Sequence, residues 1–382
     1  MLSRLSPQIL KLQSQSRAPI TVYVLNSPGG QTAIMQGIVR LLKLADQDGA
    51  SPCHIITVVT NKAQSAAADL ISAGDYSIAF PNSTLLYHGV RTPMLIPTLQ
   101  PFTAERTSLL AHILRLTNDA YAMDLARKAE KRFLLRFILL YPDFQKLRDA
   151  KAPKTVSDLD CFATLLSERL SANAKKVLQR AQERYRRYEP LMSKLLDKAS
   201  NQVGPAIPAK IEAQRIKAIV DFEVSSNKNN KGWTFKDGGL TRIVEDFFLM
   251  AEYLENQQSD RLEHWCLTVG KMSLSKTEKE TLDKITDEKA RNEQLIKIVR
   301  PIIQPVWMFF IALCHALQED DNELTAVDAY WFGLVDEVWG NASLIASRWF
   351  EEFEEDPPQP SKSDDKEKKS SDTKEKPVAT GA

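Results

Sequence analysis

The chain has four cysteines in 382 residues, and Cys53, Cys161, Cys266 and Cys314 stand too far apart to form a CxxC pair. That argues against a zinc site or a disulfide framework and fits free thiols in a reducing compartment. Five histidines (His54, His88, His112, His264, His315) show no metal spacing such as HExxH. An excess of charge of either sign is also missing: 50 basic residues meet 49 acidic ones, net +1. There is thus no electrostatic reason to expect nucleic acid or an anionic membrane as partner. Long apolar runs are scarce. The longest, Pro305 to Leu317, falls short of the ~20 residues that span a bilayer and reads as a buried helix. The first 19 residues carry polar interruptions and a proline before any secretory apolar core builds up. The expectation is a soluble, cytoplasmic protein. No glycine-flanked nucleophile elbow, P-loop or dinucleotide fingerprint occurs, and no internal repeat.

What is present, over residues 20–90, is an alternation of strands and helices. ITVYVL (20–25) is a β-branched apolar run ending at Asn26-Ser27-Pro28-Gly29-Gly30, a strong turn signal. Gln31 to Lys43 carries Ile34, Ile38, Leu41 and Leu42 at helical spacing. HIITVVT (54–60) is a second strand, and the alanine-rich Ser65–Ala73 is a helix with Gly74 at its stop. YSIAF (76–80), a Pro-Asn turn and TLLYH (84–88) follow. Such interleaving predicts a mostly parallel sheet with helices packed on it. Beyond residue 103 the character is helical. Leu109, Ile113, Leu116, Ala120 and Met123 mark a long amphipathic helix, with further helical runs near 156–198 and 240–258 and a loop at 232–239 between them. The stretch 175–187 is basic on its polar face, which reads as a solvated helix face before it reads as a nucleic-acid surface. After Phe353 only Val378 is a branched apolar residue, so that tail cannot bury enough surface to fold.

Three features carry chemistry, and each has a plain alternative. The Ser27–Gly30 turn is either a tight turn or a source of unpaired backbone N–H donors at a helix start. Ser65 is either an N-cap or an exposed hydroxyl at a strand-to-helix turn, where the helix dipole favours a developing anion. His88 is either a polar strand end or a general base of near-neutral pKa.

Together, NSPGG, QSAAADLISAGD and IAFPNSTLLYHG resemble the proteolytic subunit of the Clp protease, within the ClpP/crotonase superfamily. A segment at 320–338, DDNELTAVDAYWFGLVDEV, extends the resemblance, which covers roughly residues 8–128 and 300–340. It implies Ser65 as nucleophile, His88 as base and Asp321 as the residue that orients His88, with Asp320 the neighbouring alternative. As a plain reading, Asp321 caps a helix expected at Ala326–Phe332. The resemblance also places the oxyanion hole on the backbone N–H groups of Gly30 and Ala66. The implied fold is α/β, a ClpP/crotonase-like spiral of ββα units with a large all-α insertion. The implied organisation is a first part of that domain over 1–103, a helical region over 104–300 that is mostly insertion, a second part over 301–353 and a disordered charged tail over 354–382. The implied reaction is peptide-bond hydrolysis through an acyl-enzyme, with no metal or organic cofactor. The implied partners are peptide or unfolded-protein substrates and other copies of the chain.

Three departures qualify that inference. Only 19 residues precede Ile20, too few for the family's first strand and pore loops, which puts docking to a Clp-type ATPase in doubt. His88 and Asp321 lie 233 residues apart, far more than the family needs. Gln64 stands before the serine, where the family has a small residue. Competing readings are a non-catalytic scaffold that recruits partners and a crotonase-type acyl-CoA enzyme, which does not need a Ser/His/Asp set. A signal-peptide-peptidase type with Lys62 as base has little support: Lys62 is too close to Ser65, and a transmembrane anchor is missing.

Overall fold

The computed structural model describes residues 2–15, 19–44, 54–91, 104–150, 158–199 and 258–345. The expected loop at 232–239, nearly all of the expected helix at 240–258 and the charged tail lie outside the described residues.

Strand β2 (Ile55–Gln64) organises the sheet because it is long enough to serve three partners. On one side it pairs in parallel with β1 (Ile20–Ser27), from Ile20 opposite Ile55 to Ser27 opposite Ala63. On the other side its first half pairs with β3 (Tyr76–Ala79) and its last three residues with β4 (Thr84–Tyr87), again in parallel. β5 (Asn322–Thr325) adds to β4 antiparallel, and β6 (Glu337–Val338) adds to β3 in parallel. The protein is therefore mixed α/β with a mainly parallel sheet. The strand expected over 54–60 runs on through the polar Thr60-Asn61-Lys62 because β1 and β4 both supply backbone partners there. Polarity alone marked its end too early.

Helices α1 (Leu2–Gln15) and α2 (Thr32–Leu42) lie over one face. Ile9, Ile20, Ile38, Leu42 and Ile55 form a single apolar cluster there. α3 (Ala66–Ser72) runs from the end of β2, and its alanines allow close packing: Ala66, Ala67 and Ala68 are all buried. The helix stops where Gly74 abuts Thr57. A Cβ at 74 would lie 2.6 Å from Thr57 Oγ1, so this glycine is required by contact and not by a left-handed backbone.

Among the described residues the helical part comprises α4 (Ala104–Ala150), α5 (Asp158–Ser167), α6 (Ala172–Ala199), α7 (Gln258–Leu267), α8 (Lys276–Asp283) and α9 (Glu288–Leu317), followed after β5 by α10 (Ala326–Trp331). Two sequence expectations are corrected here. The run at 156–198 is two helices, because Asp328 accepts from the N–H (2.8 Å) and hydroxyl (2.7 Å) of Ser171 and starts α6 anew. The apolar stripe expected along α4 faces inward only at its end: Met123 is buried, but Ile113 is 49 % exposed and Ala120 is exposed, whereas Asp119 is buried. The apolar side of α4 begins at Ala122 and continues through Ala126, Phe133 and Phe137, where other helices cover it. α9 is long and apolar enough to cross a membrane by length and composition, and its most apolar window is 56 % buried inside the fold. Every residue from Val306 to Leu317 is buried, including Trp307, Phe309 and Phe310.

Two buried arginines of α4 tie the halves of the sheet together. Arg132 Nε meets Asp336 Oδ2 at 2.9 Å and donates to the carbonyls of Ser72 (3.1 Å) and Gly74 (2.5 Å). Asp336 in turn accepts from the N–H of Ser77 at 2.7 Å. Arg136 stacks over the Tyr330 ring at 3.9 Å and donates to Val335 O at 3.2 Å. The Gly-Leu-Val-Asp segment is thus fastened to the end of α3, the helix that Ser65 opens. The basic face of α6 is also used internally, since Arg180, Arg184 and Arg186 pair with Glu319, Asp320 and Asp160.

Candidate active site

At the end of β2 the chain must leave the sheet and enter α3 within one residue. Ser65 makes that turn with φ 54° and ψ −130°. This is not the extended geometry of an N-cap, and its hydroxyl makes no capping hydrogen bond. For a residue with a Cβ the conformation is strained, on the order of 1–3 kcal/mol. Two backbone bonds hold it: the N–H donates to Leu86 O on β4 at 2.7 Å, and the carbonyl accepts from Ala68 at 2.8 Å. Since the first turn of a helix has no intrahelical acceptors for its N–H groups, Ala66 presents a donor beside the serine.

The Ser27–Gly30 turn packs directly against this bend. Gly29 has φ +91°, and a Cβ there would lie 2.5 Å from Gln64 O and 2.7 Å from Ser65 Cβ. Only glycine allows the two turns to touch. Gly30, by contrast, faces open space, with nothing within 4 Å of where a Cβ would be. Gly29 therefore packs against Ser65 from one turn, Ala66 follows the serine on the other, and Gly30 has open space beside it.

β4 alternates cleanly. Leu85 and Tyr87 are buried beneath α3, while Leu86 and His88 lie on the other face. Tyr87 Oη meets Ser72 Oγ at 2.7 Å and donates to Ala68 O at 3.2 Å, which locks α3 onto β4. Burial pushes the phenol of Tyr87 up, so it stays a neutral donor. His88 Nδ1 lies 2.6 Å from Gly89 O. A carbonyl can only accept, so Nδ1 carries a proton, and in the neutral ring the lone pair is then on Nε2, the tautomer a general base needs.

Register supplies the third partner. Along β4 and β5 the pairs run Thr84–Thr325, Leu85–Leu324, Leu86–Glu323 and Tyr87–Asn322, so the next position sets Asp321 opposite His88. On the other side the β2–β4 register, Gln64 with Leu86, sets Ser65 beside Tyr87. Ser65, His88 and Asp321 thus come from three adjacent strand ends. Asp321 does not cap α10; Thr325 does, in a capping box with Asp328. Asp320 adopts φ 55° and points to Arg180 at 3.5 Å, away from the histidine side.

Asp321 and His88 are nevertheless not bonded to each other. Asp321 is ion-paired with Arg91. That hydrogen bond holds the Asp321 carboxyl below the usual carboxylate range, and the charge of Arg91 lowers it further. Arg91, three residues beyond His88, is the site neighbour that sequence reading missed. An arginine in an irregular segment has no pattern to announce it. Among the described residues no group of three His, Cys, Asp or Glu could hold a metal.

No curated protein matches the chain. A model of the Clp protease family matches residues 1–97, the segment that carries Gly30, Ser65, Ala66 and His88. Over that segment the chain resembles the proteolytic subunit of the Clp protease.

Proposed function

We propose that the chain is a serine peptidase that hydrolyses peptide bonds through an acyl-enzyme. The observation that carries this reading is the strained Ser65 at a one-residue strand-to-helix turn, with β4 delivering a histidine of the correct tautomer alongside. Ser65 Oγ attacks the scissile carbonyl as His88 Nε2 takes the hydroxyl proton. The backbone N–H groups of Gly30 and Ala66 receive the oxyanion. His88 then passes the proton to the departing amine, and water, deprotonated by the same nitrogen, releases the acyl group. Asp321, once on Nδ1, orients the ring and stabilises the imidazolium. Losing one oxyanion donor in comparable enzymes costs ~10²–10³ in rate, so the touching of the two turns matters as much as the side chains. Substrates of this reading are peptides or unfolded segments, and copies of the chain assemble with one another. The spiral of ββα units with a helical insertion, and a cytoplasmic setting, belong to the same reading.

A second reading is a scaffold that keeps the fold without the chemistry. It is favoured by the Arg91–Asp321 pair, which leaves His88 bonded to a backbone carbonyl. A fluorophosphonate probe separates the two. Labelling of the natural chain, abolished in both Ser65→Ala and His88→Ala, is expected for the peptidase. Folded natural chain that takes no label favours the scaffold.

A further inference from the structure

The loop that carries Asp321 is fixed in its backbone. Asn322 Nδ2 donates to Glu319 O at 2.5 Å and Leu317 O at 2.9 Å, closing the end of α9. From α6, Arg180 bonds Asn322 Oδ1 and meets Asp320, while Arg184 meets Glu319 at 3.0 Å. The opposing segment is fixed as well: Val90 N–H donates to Asn118 Oδ1 at 2.6 Å, and Gly89 is wedged between Asn118 and Gln318 O. The charged groups around Asp321 are therefore Arg91 and His88 from the exit of β4, Arg180 and Arg184 from α6, and Glu319 and Asp320 on its own loop. Arg180 and Arg184 are engaged with Glu319 and Asp320, which leaves Arg91 and His88 to compete for Asp321. Both side chains of the Arg91–Asp321 pair are exposed, 63 % and 56 %. The pair sits at the surface and not in a packed core, so parting it leaves no buried charge behind.

We propose that Arg91 is a positioning residue that holds Asp321 off His88 in the resting chain, and that the site becomes competent when Asp321 moves from Arg91 to His88 Nδ1. This rests on the reading of Ser65 and His88 as nucleophile and base. It predicts a low-activity resting state that weakening the pair relieves.

The test is a double-mutant cycle read by NMR on histidine-labelled full-length protein, following the His88 pKa in the natural chain, Arg91→Gln, Asp321→Asn and the double variant. Removing a positive charge raises the His88 pKa by itself, and does so equally whether residue 321 is Asp or Asn. Exchange adds a direct carboxylate–imidazolium contact, so the rise is expected to be larger by about 0.5–1 pH unit with Asp321 present. It should be accompanied by a downfield Nδ1 proton signal in Arg91→Gln alone. Equal rises in both backgrounds, without that signal, overturn the proposal. A parallel test needs no substitution, because an exposed pair weakens with salt. Raising NaCl from about 0.05 M to about 0.5 M should speed probe labelling of the natural chain and leave Arg91→Gln flat. If the NMR coupling appears but no form labels, Arg91 controls Asp321 and the serine-hydrolase reading falls. If all forms label at rates indifferent to salt and to residue 91, that reading stands and the role of Arg91 falls.

Discussion

The strain at Ser65 can be measured by replacing the serine in two ways that both remove the hydroxyl. Ser65→Ala keeps a Cβ and therefore keeps the cost of φ 54°, ψ −130°. Ser65→Gly removes the Cβ and with it a strain of roughly 1–3 kcal/mol, since glycine adopts positive φ freely. Against this, glycine loses about 0.5–1 kcal/mol more conformational entropy on folding than alanine. The loss of one methyl-sized contact near Gly29 works the same way, though the 2.7 Å that a Gly29 Cβ would leave to Ser65 Cβ shows how tight that contact already is. The net expectation is that Ser65→Gly is more stable than Ser65→Ala by about 1 kcal/mol. Equilibrium urea unfolding of the two proteins, compared at equal slope, measures that difference directly. Neither protein should take a serine-directed probe. If Ser65→Gly is instead the less stable by 0.5 kcal/mol or more, the bend is not strained as described, and the account of an exposed, activated hydroxyl loses its physical basis.

Gly29→Ala places a methyl group against the backbone of Gln64 in a left-handed conformation, so it should cost on the order of 1–2 kcal/mol from φ alone and reduce labelling of Ser65 further by displacing the bend; Gly30→Ala should leave the melting temperature nearly unchanged while slowing labelling by a bulky probe. Burial pushes the Asp69 carboxyl up from 3.8 to about 6, the charges of Lys128 and Asp124 acting in opposite directions. A carboxyl whose folded value is raised supports the fold below its unfolded value and loses that support as pH rises through about 6. Asp69→Asn should therefore stabilise the chain by roughly 1–2 kcal/mol at neutral pH, a value discounted because the residue keeps some contact with solvent. The gain should vanish in thermal scans between pH 6 and pH 4. Breaking the buried Arg132–Asp336 pair by Arg132→Met should cost about 3–5 kcal/mol, with Asp336→Asn milder; equal, negligible effects in denaturant melts would show that α4 does not fasten the two parts of the sheet.

Much of the sheet was legible because its signals are local. The apolar runs at 20–25, 54–60 and 84–88, the glycine pair at 29–30 and the small-residue start of α3 each speak within a few residues. They indicate the order of strands and helices and point to Gly30, Ser65, Ala66 and His88 at turns and strand ends. Asp321 was named by resemblance alone, because nothing local distinguishes it from Asp320; in the fold Asp321 pairs with Arg91 and Asp320 with Arg180. What was illegible is long-range and ionic. Arg132 meets Asp336, and Arg91 meets Asp321, across some two hundred residues of chain, and neither arginine sits in a pattern that names its partner. The inward face of α4 was misread at Ile113 and Ala120 for a related reason: that part of the helix meets the exit of β4 through Asn118 and α9 and α6 through Asp119, so its buried side is polar.

Those two neighbours on α4 explain how a helical region can bear on the chemistry without supplying a reacting group. Asn118 holds Val90 and abuts Gly89, which fixes the stretch just beyond His88. Asp119, one residue on, accepts from His315 Nδ1 at 3.0 Å and faces Arg184 at 3.8 Å. Burial works against its charge, but the bond from His315 and the nearby arginines prevail and hold it below the usual carboxylate range. It therefore remains an anion that binds the end of α9 and α6 together. Arg184 goes on to Glu319, two residues before Asp321. One turn of one helix thus fixes the stretch after His88 on one side and the loop before Asp321 on the other. The gap between them is then a property of α4, α6 and α9 and not of the sheet alone. A cavity or a shift in that helical cluster would be felt at His88 and Asp321 before it was felt at Ser65, whose bend is held separately by Leu86 and Gly29.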